Sequence, residues 1–195
     1  MIKVYGTGAA RSRRVLWALE EVGAPYEVVT IQLPARDHSP EYLKINPTGA
    51  LPAITDGDMV LTESLAICEY VARKHGSDLA LNPDHPDYYD YLQLIYFGEA
   101  TLAPPLSWAR RFASHPNGVS DARQKFGERL EFLEAKLADG REFLVAGRLT
   151  IADISVIYTL GLSELFGVHD VVPASIVAYE DRLKARPAFQ RAYSA

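Results

Sequence analysis

"NPTGALPAITDGDMVLTESLAICEYVARKHG", residues 46–76, holds the whole switch from turn to hairpin to helix. Asn46-Pro47-Thr48-Gly49 reads as a turn, and LPAIT and MVLT as two short strands. Asp56-Gly57-Asp58 between them is a strong hairpin signal, because glycine accepts the positive φ that a tight turn demands. Thr62 is placed to cap a helix whose apolar residues Leu65, Ile67, Cys68 and Val71 recur at helical spacing. That helix should stop at Lys74-His75-Gly76, where basic side chains meet the negative end of the helix dipole and glycine takes the position after the cap.

Working toward the N-terminus, Asn46-Pro47 closes a short helix opened by Ser39-Pro40-Glu41, an N-cap followed by an N1 proline and an acidic first turn. Before it, YEVVTIQL (26–33) is β-branched and strand-like. A helix from Ser12 carries Val15, Leu16, Leu19 and Val22 on one face and ends at Gly23, and IKVY (2–5) is a first strand. The order is βαβαββα, in which a parallel crossover and a closing hairpin make a small α/β sandwich over residues 1–77. Residues 78–87 are turn-rich and aperiodic, and read as a linker.

From residue 88 to 195 no strand signal appears. YYDYLQLIYFGEATL is a helix with an aromatic face, and a kink is expected at Pro104-Pro105. Phe126, Leu130, Leu133 and Leu137 form one apolar stripe. Thr150 to Asp153 looks like a capping box, Ser175 is placed to cap the next helix, and Pro187 opens the last. The expectation is an all-α helical bundle.

A net charge of −5 makes the chain a poor partner for nucleic acid or an anionic membrane. Met1 runs straight into a strand, and no apolar run approaches the roughly 20 residues that span a bilayer. A cytoplasmic protein is expected. Cys68 is the single cysteine and sits mid-helix among apolar residues, so it reads as a buried structural thiol. The five histidines are scattered, and no metal site is expected.

The loop GTGAARSRRVLW (6–17) is locally basic in an acidic chain, and invites an anion at a helix start. A dinucleotide fingerprint fails there, because Arg11 stands where the third glycine belongs. Arg13 and Arg14 read as a solvated face.

Three stretches together resemble the cytosolic glutathione S-transferase family: residues 46–76, RVLWALEEVGAPYE (14–27) and TIADIS (150–155). The arginine in the N-terminal loop resembles bacterial, chi-like or theta-like members. The resemblance implies a thioredoxin-like α/β N-terminal domain followed by an all-α C-terminal domain. It implies a cis Leu51-Pro52 bond, with the Leu51 backbone pairing the cysteinyl unit of glutathione, and Glu63 and Ser64 holding the γ-glutamyl end. His38 matches a position that some classes use for the glycine carboxylate. Glutathione is then a co-substrate, no cofactor is needed, and a homodimer is implied.

The family activates the thiol with a group at the start of the first helix. Counting back from Gly23 places the serine-class position on Ala9 and the cysteine-class position near Ala10 or Arg11. Neither serine nor cysteine stands there, which leaves Arg11 first, Ser12 second and Tyr5 third as catalytic candidates. A guanidinium about 4 Å from the sulfur offers about 4 kcal/mol before desolvation, against the roughly 2.7 kcal/mol needed to lower a thiol pKa by two units. A small hydrophobic electrophile is expected between the Gly6–Arg11 loop and the helix at 88–112, with Tyr96 and Trp108 as walls; core or dimer-interface roles fit those two aromatics equally. Without a loop cysteine, conjugation is favoured over mixed-disulfide chemistry. A non-catalytic glutathione-binding or docking module, and a peroxidase or isomerase using the same site, remain as alternatives.

Overall fold

Side chains alternate along β1 (Ile2–Gly6): Ile2, Val4 and Gly6 are buried on one face, while Lys3 is exposed and Tyr5 half-buried on the other. The computed structural model that shows this describes residues 1–7, 10–115 and 117–194. It divides into two units, Met1–Ala80 with Arg186–Ala195, and Leu81–Ala185.

In the first unit β1 pairs in parallel with β2 (Tyr26–Thr30) and antiparallel with β3 (Ala53–Asp56), which pairs antiparallel with β4 (Met59–Thr62). The strand order is β2-β1-β3-β4. Helix α1 (Ser12–Val22) ends on Gly23 in the left-handed conformation, and α3 (Ser64–Lys74) packs beside it. Gly6 lets β1 run close against the start of α1: a Cβ there would lie 2.5 Å from that of Ser12. On the other side of the sheet, Tyr5 packs with Tyr42, Ile31, Ala35 and Ala53. Tyr42 belongs to a 3-10 turn, Pro40–Lys44, which follows a short α2 (Ala35–His38) that the sequence pattern did not announce.

The last helix, α9 (Pro187–Ser194), follows the helical run in sequence and packs with this first unit. The reason is long-range. Phe189 packs edge-on against Trp17 with ring centroids 5.0 Å apart, and Glu21 accepts two hydrogen bonds of 2.8 Å from Arg186. Arg191 donates to Glu20 at 2.6 Å.

The second unit is helical: α4 (Tyr88–Tyr96), α5 (Ala103–Arg111), α6 (Gly118–Leu137), α7 (Ile151–Leu165) and α8 (Ala174–Lys184). The stripe Phe126, Leu130, Leu133 and Leu137 is buried, as its spacing predicts. The expected kink at Pro104-Pro105 is instead a π-helical stretch just before it, Phe97–Leu102, and the prolines open α5 where their missing N–H groups are harmless. Hydroxyls of α7 stabilise the looser turn: Ser155 donates to the Ile95 carbonyl at 3.0 Å and Thr159 to that of Gly98 at 3.1 Å. Gly98 is needed there, since a Cβ would fall 2.3 Å from Ser155 Oγ.

Thr150 and Asp153 form the predicted capping box of α7. Three other caps differ from expectation. Glu63, not Thr62, precedes α3, because Thr62 is still paired to Ala53 in the sheet. Pro173 precedes α8, and Ser175 turns its hydroxyl to Glu134. Ser39 accepts the Gln32 N–H instead of capping its own turn. Among the described residues no helix is long and apolar enough to cross a membrane.

Candidate functional site

Strand register brings three segments to one end of the first sheet. Ala53 faces Tyr5 on one side and Thr62 on the other. The residues just beyond these pairs are therefore Gly6-Thr7, Leu51-Pro52 and Glu63-Ser64. Helix α1 starts at the same end, five residues after Thr7.

The loop before β3 is fixed from within. Asn46 Oδ1 accepts from the Thr48 N–H at 3.1 Å and hydroxyl at 2.8 Å, and Asn46 Nδ2 donates to the Ala50 carbonyl at 2.8 Å. Tyr42 donates to the same carbonyl at 2.6 Å. The Leu51-Pro52 bond is cis, as expected, and so is Leu33-Pro34. Pro52 is buried and Leu51 half-buried. Among the described residues no hydrogen bond uses the backbone N–H or C=O of Leu51. The loop thus spends its polar groups on itself up to Ala50 and presents one open amide pair, which suits an extended peptide.

Glu63 is exposed at φ +67, a left-handed backbone that costs a non-glycine residue about 1–3 kcal/mol. Its conformation places Ser64, which is buried, as the first residue of α3. The N–H groups of a helix start have no intrahelical partner and favour an anion.

At α1 the charges run against helix preference. Arg11 is the half-buried N-cap residue with no side-chain capping bond, and Arg13 and Arg14 follow it with no acidic residue in the first turn. Each cation at the positive end of a helix costs roughly 0.3–1 kcal/mol. Arg13 and Arg14 are not the solvated face the sequence suggested. Arg13 lies over the Tyr193 ring at 4.7 Å, and Arg14 is fully buried, donating to Ser64 Oγ at 3.2 Å. Both turn to partners more than 40 positions away, which local charge patterning does not reveal. Ser12 is also buried. Its one proton goes to the Thr7 carbonyl at 2.6 Å while it accepts the Thr7 N–H at 3.2 Å. Ala9, the counted serine-class position, lies outside the described residues.

Two family models match, "Glutathione S-transferase, N-terminal domain" over residues 1–73 and "Glutathione S-transferase, C-terminal domain" over residues 116–193. Glutathione S-transferase 1 of Zea mays is 32% identical, with 97% of this chain and 94% of the relative covered. The chain belongs to the glutathione S-transferase family. A transferase family member from Pseudomonas fluorescens, solved with two glutathione bound, superposes with a TM-score of 0.84 at 27% identity, over 98% of this chain and 92% of that one. Another, from Phanerochaete chrysosporium with oxidized glutathione, gives 0.86 at 28% identity, over 99% and 93%.

In this chain His38 and Tyr5 line a groove of about 390 Å³ with Tyr42, Val29 and Ile45, away from the α1 face of the sheet. His38 is exposed there. Tyr96 is 62% exposed, in a groove of about 490 Å³ with Phe97, Arg129 and Phe132, and Trp108 is 45% exposed. A core role for either is therefore excluded. Cys68 is fully buried, its Sγ 3.5 Å from the Arg14 carbonyl, and burial pushes its thiol up to about 12.

One cluster was missed in the sequence. Glu164, His169 and Glu180 bring their ligand atoms within 4.8 Å of one another. Lys184 Nζ lies 2.8 Å from a carboxylate oxygen of both glutamates, so the buried Glu180 is balanced by a cation of the chain itself.

Proposed function

We propose that this transferase binds glutathione along Leu51 and at the start of α3, stabilises its thiolate near the start of α1, and directs it at a hydrophobic electrophilic carbon. The open amide pair of Leu51, across the register from Ser64, carries this reading. It matches the cysteinyl unit of a tripeptide whose γ-glutamyl carboxylate meets the N–H groups of α3, with Glu63 facing the ammonium. Structures of relatives with glutathione bound support it. His38 is assigned to the glycine carboxylate. Tyr96 and Trp108, being exposed aromatics of the second unit, are assigned to the electrophile. A homodimer in the cytoplasm belongs to the same proposal.

For thiol activation Arg11 stays first. Ser12 would have to give up its 2.6 Å bond to Thr7 before donating to sulfur, and Tyr5 packs on Tyr42, 5.9 Å between centroids.

Ser64→Ala tests the binding half. The carboxylate it contacts is remote from the sulfur, so its hydrogen bond is made equally in ground and transition states. Glutathione affinity should fall by about 1–3 kcal/mol with kcat little changed, read by calorimetry beside steady-state kinetics. A collapse of kcat at unchanged KM would refute this placement.

Cys68 separates conjugation from mixed-disulfide chemistry, which needs a protein thiolate. With its thiol held at about 12, Cys68 stays protonated at neutral pH. Native protein should resist alkylation at pH 8 and react once unfolded in urea, and Cys68→Ala should keep its glutathione-dependent turnover. The folded state holds this proton more tightly than the unfolded chain, so stability is complete below about pH 9 and is lost toward pH 12. Tyr26, pushed up from about 10 to about 12 by burial and by Glu20, adds its own loss over the upper part of that window. The urea midpoint should therefore fall over that range, and fall less in Cys68→Ala. Rapid labelling of native Cys68 would return redox chemistry to consideration.

A further inference from the structure

We propose that Arg14 is a positioning residue for glutathione, acting through Ser64 and not by touching the ligand. The inference rests on the glutathione reading above and adds a residue to it. Arg14 is fully buried in α1, yet its Nη1 reaches across to Ser64 Oγ at 3.2 Å on α3, fifty residues later.

The chemistry of the two groups fixes the direction of that bond. A guanidinium can only donate, so the serine oxygen must accept. A hydroxyl has one proton, and with its oxygen accepting from Arg14 that proton is left to donate elsewhere. Donation from a charged group also polarises the hydroxyl and strengthens the bond it makes in turn. Ser64 is thereby set as a donor at the start of α3, where unpaired backbone N–H groups already favour an anion. The acceptor this arrangement selects is a carboxylate. Without Arg14 the hydroxyl is free to rotate, and can spend its proton on a nearby carbonyl instead.

Arg14 is itself held by its own helix and by its neighbour. Its backbone N–H donates to the Arg11 carbonyl at 3.1 Å, and its carbonyl lies 3.5 Å from Cys68 Sγ, one turn along α3 from Ser64. The same side chain therefore links the start of α1 to the start of α3, the two helix ends that frame the proposed tripeptide.

The test compares two ligands by calorimetric titration: glutathione, and γ-aminobutyryl-cysteinyl-glycine, which lacks only the γ-glutamyl α-carboxylate. Arg14→Met should weaken glutathione roughly tenfold and leave the analogue within about twofold. The double variant Arg14→Met/Ser64→Ala should bind glutathione no more weakly than Ser64→Ala alone, because the two act in series. Arg14→Lys, which keeps the charge but has a shorter reach, is the second variant. It should show the same selective loss at smaller size. Equal losses for the two ligands in both variants, or loss of the fold in both, would make Arg14 a purely structural residue and overturn the proposal. Failure of the parent protein to bind glutathione would instead overturn the reading beneath it, and the parent titration shows that separately.

Discussion

Asp153→Ala should destabilise the protein by about 3–5 kcal/mol, a large share of the 5–15 kcal/mol that holds a typical domain together. The carboxylate is fully buried and accepts from the Leu144 N–H at 2.9 Å, the Thr150 N–H at 2.8 Å, the Thr150 hydroxyl at 3.1 Å and the Tyr179 hydroxyl at 2.8 Å. Truncation strips the acceptor from all four donors, deep in the second unit, and removes one side of the capping box that starts α7. Asp153→Asn keeps the shape but replaces one acceptor oxygen with a donor, so it should fall between parent and alanine. Urea unfolding followed by far-UV circular dichroism reads the difference. A loss below about 1 kcal/mol would mean that water or a shifted Tyr179 satisfies these donors.

The second large effect concerns Arg11. Arg11→Ala should raise the apparent pKa of enzyme-bound glutathione by about one unit, equivalent to 1.36 kcal/mol. At neutral pH kcat/KM should then fall about tenfold, with recovery at alkaline pH. A guanidinium remains protonated and cannot act as the base, so it can only favour the thiolate while solvent takes the proton. Of the arginines at this helix start, Arg13 and Arg14 turn to Tyr193 and Ser64, while Arg11 stands at the N-cap position itself. Ser12→Ala and Tyr5→Phe are the parallel variants. An unmoved titration in Arg11→Ala, with an upward shift in Ser12→Ala, would transfer the role to Ser12. If all three titrate like the parent, backbone amides at the start of α1 carry the effect.

Much of the architecture was legible because its signals are local. The Gly57 hairpin, the stop at Gly23, the stripe on α6 and the capping box at Thr150 each lie within a few residues, and each stands where the sequence puts it. What escaped depends on distant partners. The pairing of α9 with α1 needs Phe189 to find Trp17, and nothing within either helix announces it. The π-helical stretch was masked by Pro104-Pro105, a louder local signal, while its real support is Ser155 and Thr159 on another helix. Caps at Thr62 and Ser175 slipped by a residue or two, because a hydroxyl near a helix start has several acceptors to choose from.

The candidate site divides the same way. Leu51, Pro52, Glu63 and Ser64 were legible as a motif, and the structure adds the reason they converge: the register through Ala53. Arg14 was misread because charge suggests solvent, and only a folded chain shows a guanidinium turned inward to a serine.

The proposed conjugation requires a glutathione thiolate formed on this chain. Titrating the ultraviolet thiolate absorbance of glutathione bound to the parent protein, against free glutathione, tests it most directly. The midpoint should lie clearly below the ~8.5 of an ordinary thiol, and the shift should be lost when Ser64→Ala prevents saturation at the same ligand concentration. Glutathione that binds but titrates like the free peptide, or that does not bind at all, would contradict it.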